Sequence, residues 1–169
     1  MIIDFEQEKE NLINIEIKET KINGIGIFAR KDFKRGEKVF YVFGKDTPYT
    51  TDYSIPINKL EKIEPRISKS MAQYMNHSCE PNIHPDIHGR AYLTMRDINK
   101  GEELVTHYGF LGNDFGDEKT IDGEKDMQLD LICKCNTASC RGKLYGYKDF
   151  TDKEKKKWNK CVLPFLKNI

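Results

Sequence analysis

Three cysteines near the carboxyl end constrain this chain more than any other feature of its sequence. Cys133, Cys135 and Cys140 follow the pattern C-x-C-x4-C, and the chain has five cysteines in all. An odd number of cysteines without a secretory signal argues against a disulfide framework and favours a zinc thiolate cluster. A structural zinc ion needs four ligands, so a fourth side chain has to come from elsewhere in the chain. The candidates are the two remaining cysteines, Cys79 and Cys161, and, less favoured, His77 and His107.

Length and charge narrow the class of protein. The 169 residues correspond to a single domain of ordinary size. The 28 basic and 27 acidic residues give a net charge of +1, which argues against a protein that coats a polyanion. No apolar run reaches the roughly 18–20 residues that span a bilayer, and the opening MIIDFEQEKEN lacks the basic and apolar stretches of a secretory signal. We therefore expect a soluble intracellular protein with no membrane contact.

Short apolar stretches separated by turn residues dominate the first two-thirds of the chain. They predict strands at residues 12–17, Ile25–Ala29, 39–43, 53–57, 91–95 and 103–108. A short helix is predicted near residues 68–75, and a second begins at the capping box Thr151-x-x-Glu154 and ends before Pro164. The second helix would bury Trp158, Cys161 and Val162 along one face. The sequence therefore predicts a mainly β domain with few short helices.

Charge is unevenly distributed along the last third of the chain. Residues 113–130 contain seven acidic residues and two lysines, whereas the segment from Cys133 to the end contains ten basic and three acidic residues. Solvated surface is the simplest interpretation of both runs. The functional alternative is an acidic loop and a basic tail that orient a charged partner.

Three further segments are candidates for a site. Gly24-Ile25-Gly26 opens a predicted strand, where missing side chains let another group approach the backbone; the third glycine and the helix of a dinucleotide fingerprint are missing. NHSCEPN, at residues 76–82, concentrates polar side chains directly after an apolar stretch. Residues 96–110 predict a turn and a strand that ends in Tyr108. Alone, each segment is equally well explained as a turn or as core.

Together, these motifs resemble the SET-domain family of protein lysine methyltransferases, including its cysteine-rich post-SET tail. GIGIFA resembles the family's G-x-G opening, NHSCEPN its most diagnostic motif, ELVTHY its E-L-x-x-x-Y strand, and C-x-C-x4-C-R-G its zinc motif. The resemblance implies a β-clip-like SET fold in which one segment threads through a loop as a pseudoknot. It also sets the expected boundaries: residues 1–20 an N-terminal strand or extension, 21–110 the SET domain, 111–130 an acidic linker, 131–147 the post-SET zinc segment and 148–169 the C-terminal helix.

The resemblance implies S-adenosylmethionine-dependent methylation of a lysine side chain in a protein, commonly a histone tail. Tyr108 would be the catalytic residue, orienting the reacting groups without a covalent role. The implied cofactor-binding residues are Gly24, Ile25, Gly26, Tyr53, Asn76 and His77. Cys79 would complete the shell of one structural Zn²⁺ with Cys133, Cys135 and Cys140. Candidates for the substrate channel are Tyr41, Phe43, Thr106 and Phe110.

Two residues beside the expected catalytic tyrosine depart from the family pattern. His107 stands where the family usually has Asp, and Thr106 where it commonly has Phe or Tyr. The smaller Thr106 predicts a roomier pocket that permits multiple methylation. The same departures support an alternative, a catalytically weak SET-like module that binds a protein tail. Nucleic acid contact is expected to be indirect only, and a nuclear or chromatin location follows if the source is eukaryotic.

Overall fold

The chain folds into short strands with two α-helices among the residues that the computed structural model describes, which are 5–22, 24–49, 54–65, 70–114 and 132–168. The helices are α1 (Phe5–Asn14) and α2 (Asp152–Lys157). The strands are β1 (Ile15–Glu19), β2 (Ile25–Ala29), β3 (Lys38–Tyr41), β4 (Lys45–Thr47), β5 (Ile55–Pro56), β6 (Lys62–Glu64), β7 (Asn76–His77), β8 (Ile83–Asp86), β9 (Ala91–Thr94) and β10 (Glu103–Thr106). Short 3-10 helices cover Met71–Tyr74, Tyr108–Phe110, Tyr147–Asp149 and Pro164–Asn168.

The strands form three small sheets, with the orders β1-β2-β10-β7, β3-β9-β8 and β4-β6-β5. In the first sheet β10 pairs antiparallel with β2 and parallel with β7. The parallel register sets Val105 opposite Asn76 and Thr106 opposite His77. This pairing brings three of the segments singled out in the sequence to one sheet.

Two apolar clusters fill the interior. The first lies among the sheets, and its largest side chains include Phe33, Phe40 and Tyr92. The second contains Cys79 and Cys133 together with aromatic rings from the C-terminal segment. Those rings belong to Phe110, Tyr145, Phe150 and Trp158. Leu111 packs against both clusters, so the residues that follow Tyr108 connect the sheets to the C-terminal segment.

The predicted strand at residues 12–17 is wrong for its first three residues, because α1 continues to Asn14 and β1 begins at Ile15. Asn11 and Asn14 are buried on one face of this helix, where their amides bind backbone groups of β3. Ile13, one of the apolar residues of the predicted strand, is 68% exposed. Hydrogen bonds to a distant strand therefore outweigh the local apolar pattern.

The C-terminal helix begins where the sequence predicts but ends early. Thr151 and Glu154 form the expected capping box, and α2 ends at Lys157 rather than just before Pro164. Trp158 and Val162 are nevertheless buried, as the predicted apolar face required, and Pro164 starts a 3-10 helix instead of only ending one. Packing of Trp158 and Val162 within the second apolar cluster decides this conformation.

The predicted mainly β fold class is confirmed, because strands outnumber helices and the helices are short. Tyr53, residues 66–69 and residues 115–131 of the predicted acidic linker and zinc segment lie outside the described residues. In the part of the chain that the structure describes, no helix has the length and apolar character needed to cross a membrane.

Candidate active site and metal centre

The glycine-containing turn, β7 and the start of β10 are joined by the side chain of Asn76. Its amide nitrogen donates to the carbonyl oxygen of Ile25 at 3.0 Å and to Oε1 of Glu103 at 2.9 Å. The hydroxyl of Thr20 donates to the other carboxylate oxygen of Glu103. Three segments that are separate in the sequence therefore share one hydrogen-bond network.

Glycine is required at position 26 because the Glu103 carboxylate occupies the space that a side chain would fill. A Cβ on Gly26 would overlap Oε1 of Glu103 and lie 3.0 Å from the Asn76 amide nitrogen. Gly24 has a φ of +63°, a left-handed conformation that side chains disfavour. Ile25, between them, is half exposed, and its carbonyl oxygen is the acceptor of the Asn76 amide.

Glu103 is a site residue that the sequence analysis missed. In the sequence it stands only as the first residue of the E-L-x-x-x-Y strand, where the motif implies no role for it. The available signal was an acidic residue at the start of a strand that pairs with the glycine-containing strand, and the pairing itself is visible only in the fold. Glu103 holds the Asn76 amide and the glycine turn in register.

Two residues hold Tyr108: Met75, which directly precedes β7, and His77, which lies within β7. The hydroxyl of Tyr108 donates to the carbonyl oxygen of Met75 at 2.9 Å, and its backbone N–H donates to Nδ1 of His77 at 3.1 Å. The rings of His77 and Tyr108 meet edge to face, with centroids 5.2 Å apart. Since the hydroxyl hydrogen is committed to Met75, the phenolic oxygen can meet any further group only as an acceptor.

His107 lies at the centre of an aromatic cage and is fully buried. Its Nδ1 accepts a hydrogen bond from the N–H of Gly109 at 3.0 Å, whereas its Nε2 has no hydrogen-bond partner among the described residues. Burial lowers the pKa of His107 to about 2, and burial likewise lowers the pKa of His77 to about 4. Both imidazoles are therefore neutral at physiological pH. The cage consists of His77, Phe110, Tyr145, Phe150 and Trp158.

The four residues predicted to line a substrate channel occupy different surroundings. Thr106 is fully buried on β10, and its hydroxyl has no partner among the described residues. Phe110 is fully buried against Phe150 and Trp158. These two residues lie on either side of His107 along the chain.

Tyr41 is the last residue of β3 and Phe43 follows it, whereas Tyr108 follows β10 of another sheet. Their rings contact each other with centroids 6.4 Å apart, and Lys38 donates to the Tyr41 hydroxyl at 2.9 Å. The N–H of Phe43 donates to Ser70, the N-cap of the 3-10 helix whose C-cap is Met75. That 3-10 helix therefore connects the backbone of Phe43 to Met75, the residue that accepts the Tyr108 hydroxyl.

Cys79, Cys133, Cys135 and Cys140 converge, with all four sulfur atoms within 4.8 Å of one another. The sulfurs of Cys79 and Cys133 are 3.9 Å apart, close to the roughly 3.8 Å that tetrahedral coordination at Zn–S distances of about 2.3 Å requires. Backbone N–H groups of Cys79 and Gly142 donate to the sulfurs of Cys135 and Cys140. The cluster therefore has the donor set and spacing to hold a metal ion.

The four thiols differ in how readily they ionise before a cation is bound. Burial raises the pKa of Cys79 to about 12 and raises the pKa of Cys133 further. Burial acts in the same direction on Cys135, but hydrogen bonds from Cys79 and Thr137 outweigh it and lower the pKa to about 6. A bound cation would supply the positive charge that lets the buried thiols ionise.

The fold and site thus define a class: a mainly β domain whose glycine turn, polar β7 and terminal tyrosine meet beside a four-cysteine cluster. The SET domain family model matches residues 24–109, about half of the chain. This chain belongs to the SET-domain family.

Similar proteins are much longer than this chain. The Variant-silencing SET domain-containing protein of Plasmodium falciparum (isolate 3D7) is 30% identical over 129 residues, which is 60% of this chain and 5% of that protein. Histone-lysine N-methyltransferase 2D of Homo sapiens is 26% identical over 148 residues, which is 76% of this chain and 2% of that protein. The chain therefore spans only a small fraction of the curated relatives it matches.

A similar fold occurs in a crystal structure of KRYPTONITE in complex with mCHH DNA, H3(1-15) peptide and SAH. The two chains are 23% identical, with a TM-score of 0.59, and the similarity covers 78% of this chain and 29% of the other. This likeness supports the SET fold of the chain.

Proposed function

We propose that this chain transfers a methyl group from S-adenosylmethionine to the side-chain amine of a lysine in a protein substrate. One observation carries the proposal: Met75, which accepts the Tyr108 hydroxyl, directly precedes Asn76, which binds the glycine turn. A candidate catalytic hydroxyl and a candidate cofactor loop therefore share one anchor. The human relative is named a histone-lysine N-methyltransferase, and the KRYPTONITE complex contains SAH. Both support the same chemistry.

The cofactor is assigned to the turn at Gly24, Ile25 and Gly26, together with Asn76 and His77. A left-handed backbone at Gly24, with nothing within 4 Å of the position that a Cβ would take, fits a ligand that approaches the main chain there, and Ile25 beside it is half exposed. When bound, S-adenosylmethionine supplies an electrophilic methyl group on a positively charged sulfur. Tyr53, the remaining predicted cofactor residue, stays a prediction of the sequence.

Methyl transfer needs a neutral lysine amine, although a free lysine side chain has a pKa of about 10.4. A narrow channel that excludes water lowers the pKa of the amine, because desolvation disfavours the ammonium form. Tyr41 and Phe43 are the aromatic candidates for the wall of this channel, where ring faces favour a cation-like head group. Tyr108 accepts an N–H of the amine through its phenolic oxygen and thereby orients the nitrogen lone pair for in-line attack.

Thr106 is assigned to the depth of the channel, where its small side chain favours addition of more than one methyl group. Its buried hydroxyl has no partner among the described residues, so it remains available to a bound group. Mass spectrometry of the product tests this assignment. Di- or trimethyl-lysine is expected, and a product that stays monomethylated after long incubation would contradict it.

The metal is assigned as one structural Zn²⁺ held by Cys79, Cys133, Cys135 and Cys140. Four thiolates close a tetrahedral shell and leave no position for water, so the ion would order the chain rather than take part in the reaction. Cys79 follows the candidate cofactor residues by only two positions. The ion would therefore fasten the C-terminal segment beside the active site.

The substrate is assigned to the class of basic, lysine-bearing tails, of which histone tails are the example given by the relatives' names. A chromatin substrate also implies a nuclear location in a eukaryotic cell. A direct test incubates the chain with labelled S-adenosylmethionine and a histone-tail peptide. Label is expected in that peptide but not in a matched peptide with arginine at every lysine position. Equal labelling of both peptides, or of neither, would overturn the lysine assignment.

A second candidate function, a SET-like module that binds a protein tail without turnover, is favoured by His107 and Thr106 at the two departing positions. Thermal unfolding with S-adenosylmethionine separates the two functions. An enzyme that binds the cofactor gains about 2.7 kcal/mol at a ligand concentration of 100 Kd. A module that has lost its cofactor site shows no shift.

A further inference from the structure

His77 is a buried residue whose two ring nitrogens face two different parts of the site. Its Nδ1 accepts the backbone N–H of Tyr108 at 3.1 Å, and its Nε2 lies 3.5 Å from the sulfur of Cys79. The ring therefore stands between the four-cysteine cluster and the candidate catalytic tyrosine.

The partner of Nδ1 settles which nitrogen carries the proton. A backbone N–H can only donate, so Nδ1 has to offer a lone pair to Tyr108. A neutral imidazole then carries its hydrogen on Nε2, which donates to the sulfur of Cys79. A thiolate that ligates a metal ion is a strong acceptor for this bond.

The same reasoning excludes a second metal site. Ring nitrogens of His77 and His107 lie within 4.8 Å of each other and of the Cys79 sulfur, a spacing that would suit a metal ion. Nδ1 of His107 accepts the N–H of Gly109, so its Nε2 also carries hydrogen. Neither Nε2 has a lone pair to give: the Nε2 of His77 donates to Cys79, and the Nε2 of His107 has no partner among the described residues.

We propose that His77 is a positioning residue that couples the metal cluster to Tyr108: its Nε2–H orients on the Cys79 thiolate, and its Nδ1 thereby holds the Tyr108 backbone. The inference rests on the proposed metal centre and on the proposed role of Tyr108. The Tyr108 N–H lies at the start of the 3-10 helix Tyr108–Phe110, next to the N-cap His107, whose Nδ1 accepts the N–H of Gly109. The carbonyl oxygen of Met75 holds the opposite end of Tyr108, its side-chain hydroxyl.

Two amide substitutions separate the two hydrogen bonds. The amide of asparagine reaches the Nδ1 position of histidine, so His77→Asn keeps an acceptor for Tyr108 and loses the donor to Cys79. The longer glutamine reaches the Nε2 position, so His77→Gln keeps the donor and loses the acceptor. Each variant is the control for the other, and thermal unfolding confirms that both are folded.

The probe is Co²⁺ in the full chain, followed through its thiolate-to-metal charge-transfer band and by competition with Zn²⁺. His77→Asn is expected to move the band to lower energy, because an unbonded thiolate gives up an electron more readily. Its Co²⁺ affinity is expected to fall about 10- to 100-fold, as for other residues that orient metal ligands. His77→Gln is expected to keep the wild-type band and affinity but to lower kcat.

An unmoved band in His77→Asn, or equal changes in both variants, would show that the ring only fills space and would overturn the inference. The band distinguishes this failure from failure of the proposed function. If the wild-type chain gives no charge-transfer band, the metal assignment itself is wrong and the coupling falls with it. If the band responds as expected while no chain methylates any peptide, the coupling to Cys79 stands and the proposed reaction is wrong.

Discussion

The phenolic hydroxyl of Tyr108 donates its hydrogen to the carbonyl oxygen of Met75, 2.9 Å away. Because the bond uses the hydroxyl hydrogen, the phenolic oxygen can serve a bound group only as an acceptor. The bond also ties the tyrosine to the residue that precedes Asn76 and His77. We therefore expect the hydroxyl of Tyr108, and not only its aromatic ring, to contribute to the reaction.

Tyr108→Phe is expected to lower kcat by about 100-fold or more, because the acceptor that orients the amine is lost. Stability is expected to fall by only about 1 kcal/mol, the net value of one hydrogen bond. Steady-state kinetics with a histone-tail peptide and urea unfolding measure the two effects. A variant with wild-type kcat would remove Tyr108 from the catalytic machinery.

Tyr92→Phe provides the matched control for loss of a tyrosine hydroxyl. Tyr92 is fully buried, and its hydroxyl has no hydrogen-bond partner among the described residues. Because an unpaired buried hydroxyl costs free energy, its removal is expected to be neutral or to stabilise the fold by about 1 kcal/mol. The kcat of this variant is expected to match that of the wild type.

Gly26→Ala is expected to weaken S-adenosylmethionine binding, because its methyl group would displace the Glu103 carboxylate and disturb the Asn76 amide. Overpacking of this kind costs about 1–3 kcal/mol of stability. Titration calorimetry measures the binding. Gly36→Ala is the control. The φ of +84° at Gly36 makes alanine strained there, but a Cβ at this position meets nothing within 4 Å. Equal loss of binding in both variants would contradict the assigned cofactor turn.

Cys135→Ser is expected to lose bound zinc, lower the melting temperature and abolish methyl transfer, because the free energy of metal binding also orders the C-terminal segment. Treatment with a chelator is expected to do the same to the wild type. Cys161 lies outside the four-cysteine cluster, so Cys161→Ser is expected to keep its zinc. Elemental analysis of both purified variants decides the point, and a zinc content that is unchanged in Cys135→Ser would exclude this thiol as a ligand.

Glu154→Gln is expected to destabilise the chain at neutral pH and to have little effect in acid. Burial acts to raise the pKa of Glu154, but hydrogen bonds from Thr151 and Tyr145 and the charge of Arg141 outweigh it and lower the pKa below 4.5. The folded state therefore gains stability from ionised Glu154 above pH 4.5 and loses it as pH falls through the lowered pKa.

Urea unfolding of wild type and Glu154→Gln between pH 3 and 7 tests the sign of this effect. The difference in unfolding free energy is expected to be about 1 kcal/mol at pH 7, the usual value of a helix cap, and to shrink toward pH 3. A difference that grows with acidity would show that the carboxyl group is bound in its protonated form.

The motifs of the site were predictable because their chemistry is carried by residues close together in sequence. The glycines at positions 24 and 26, NHSC and C-x-C-x4-C needed no knowledge of the fold, and the strand at Ile25–Ala29 follows from local pattern as well. Glu103 was missed because its importance depends on a glycine in a different strand. The conformation of residues 12–14 was mistaken because Asn11 and Asn14 find their partners on β3.

The amino-acid sequence shows which side chains are available for chemistry and how they are spaced within each segment. The fold shows that Cys79, the fourth metal ligand implied by the family resemblance, lies beside the other three thiols, that Met75 and His77 hold Tyr108, and that aromatic rings enclose His107. The difference arises because spacing along the chain sets only local geometry. Burial and hydrogen bonding, by contrast, depend on partners that folding brings from distant parts of the chain.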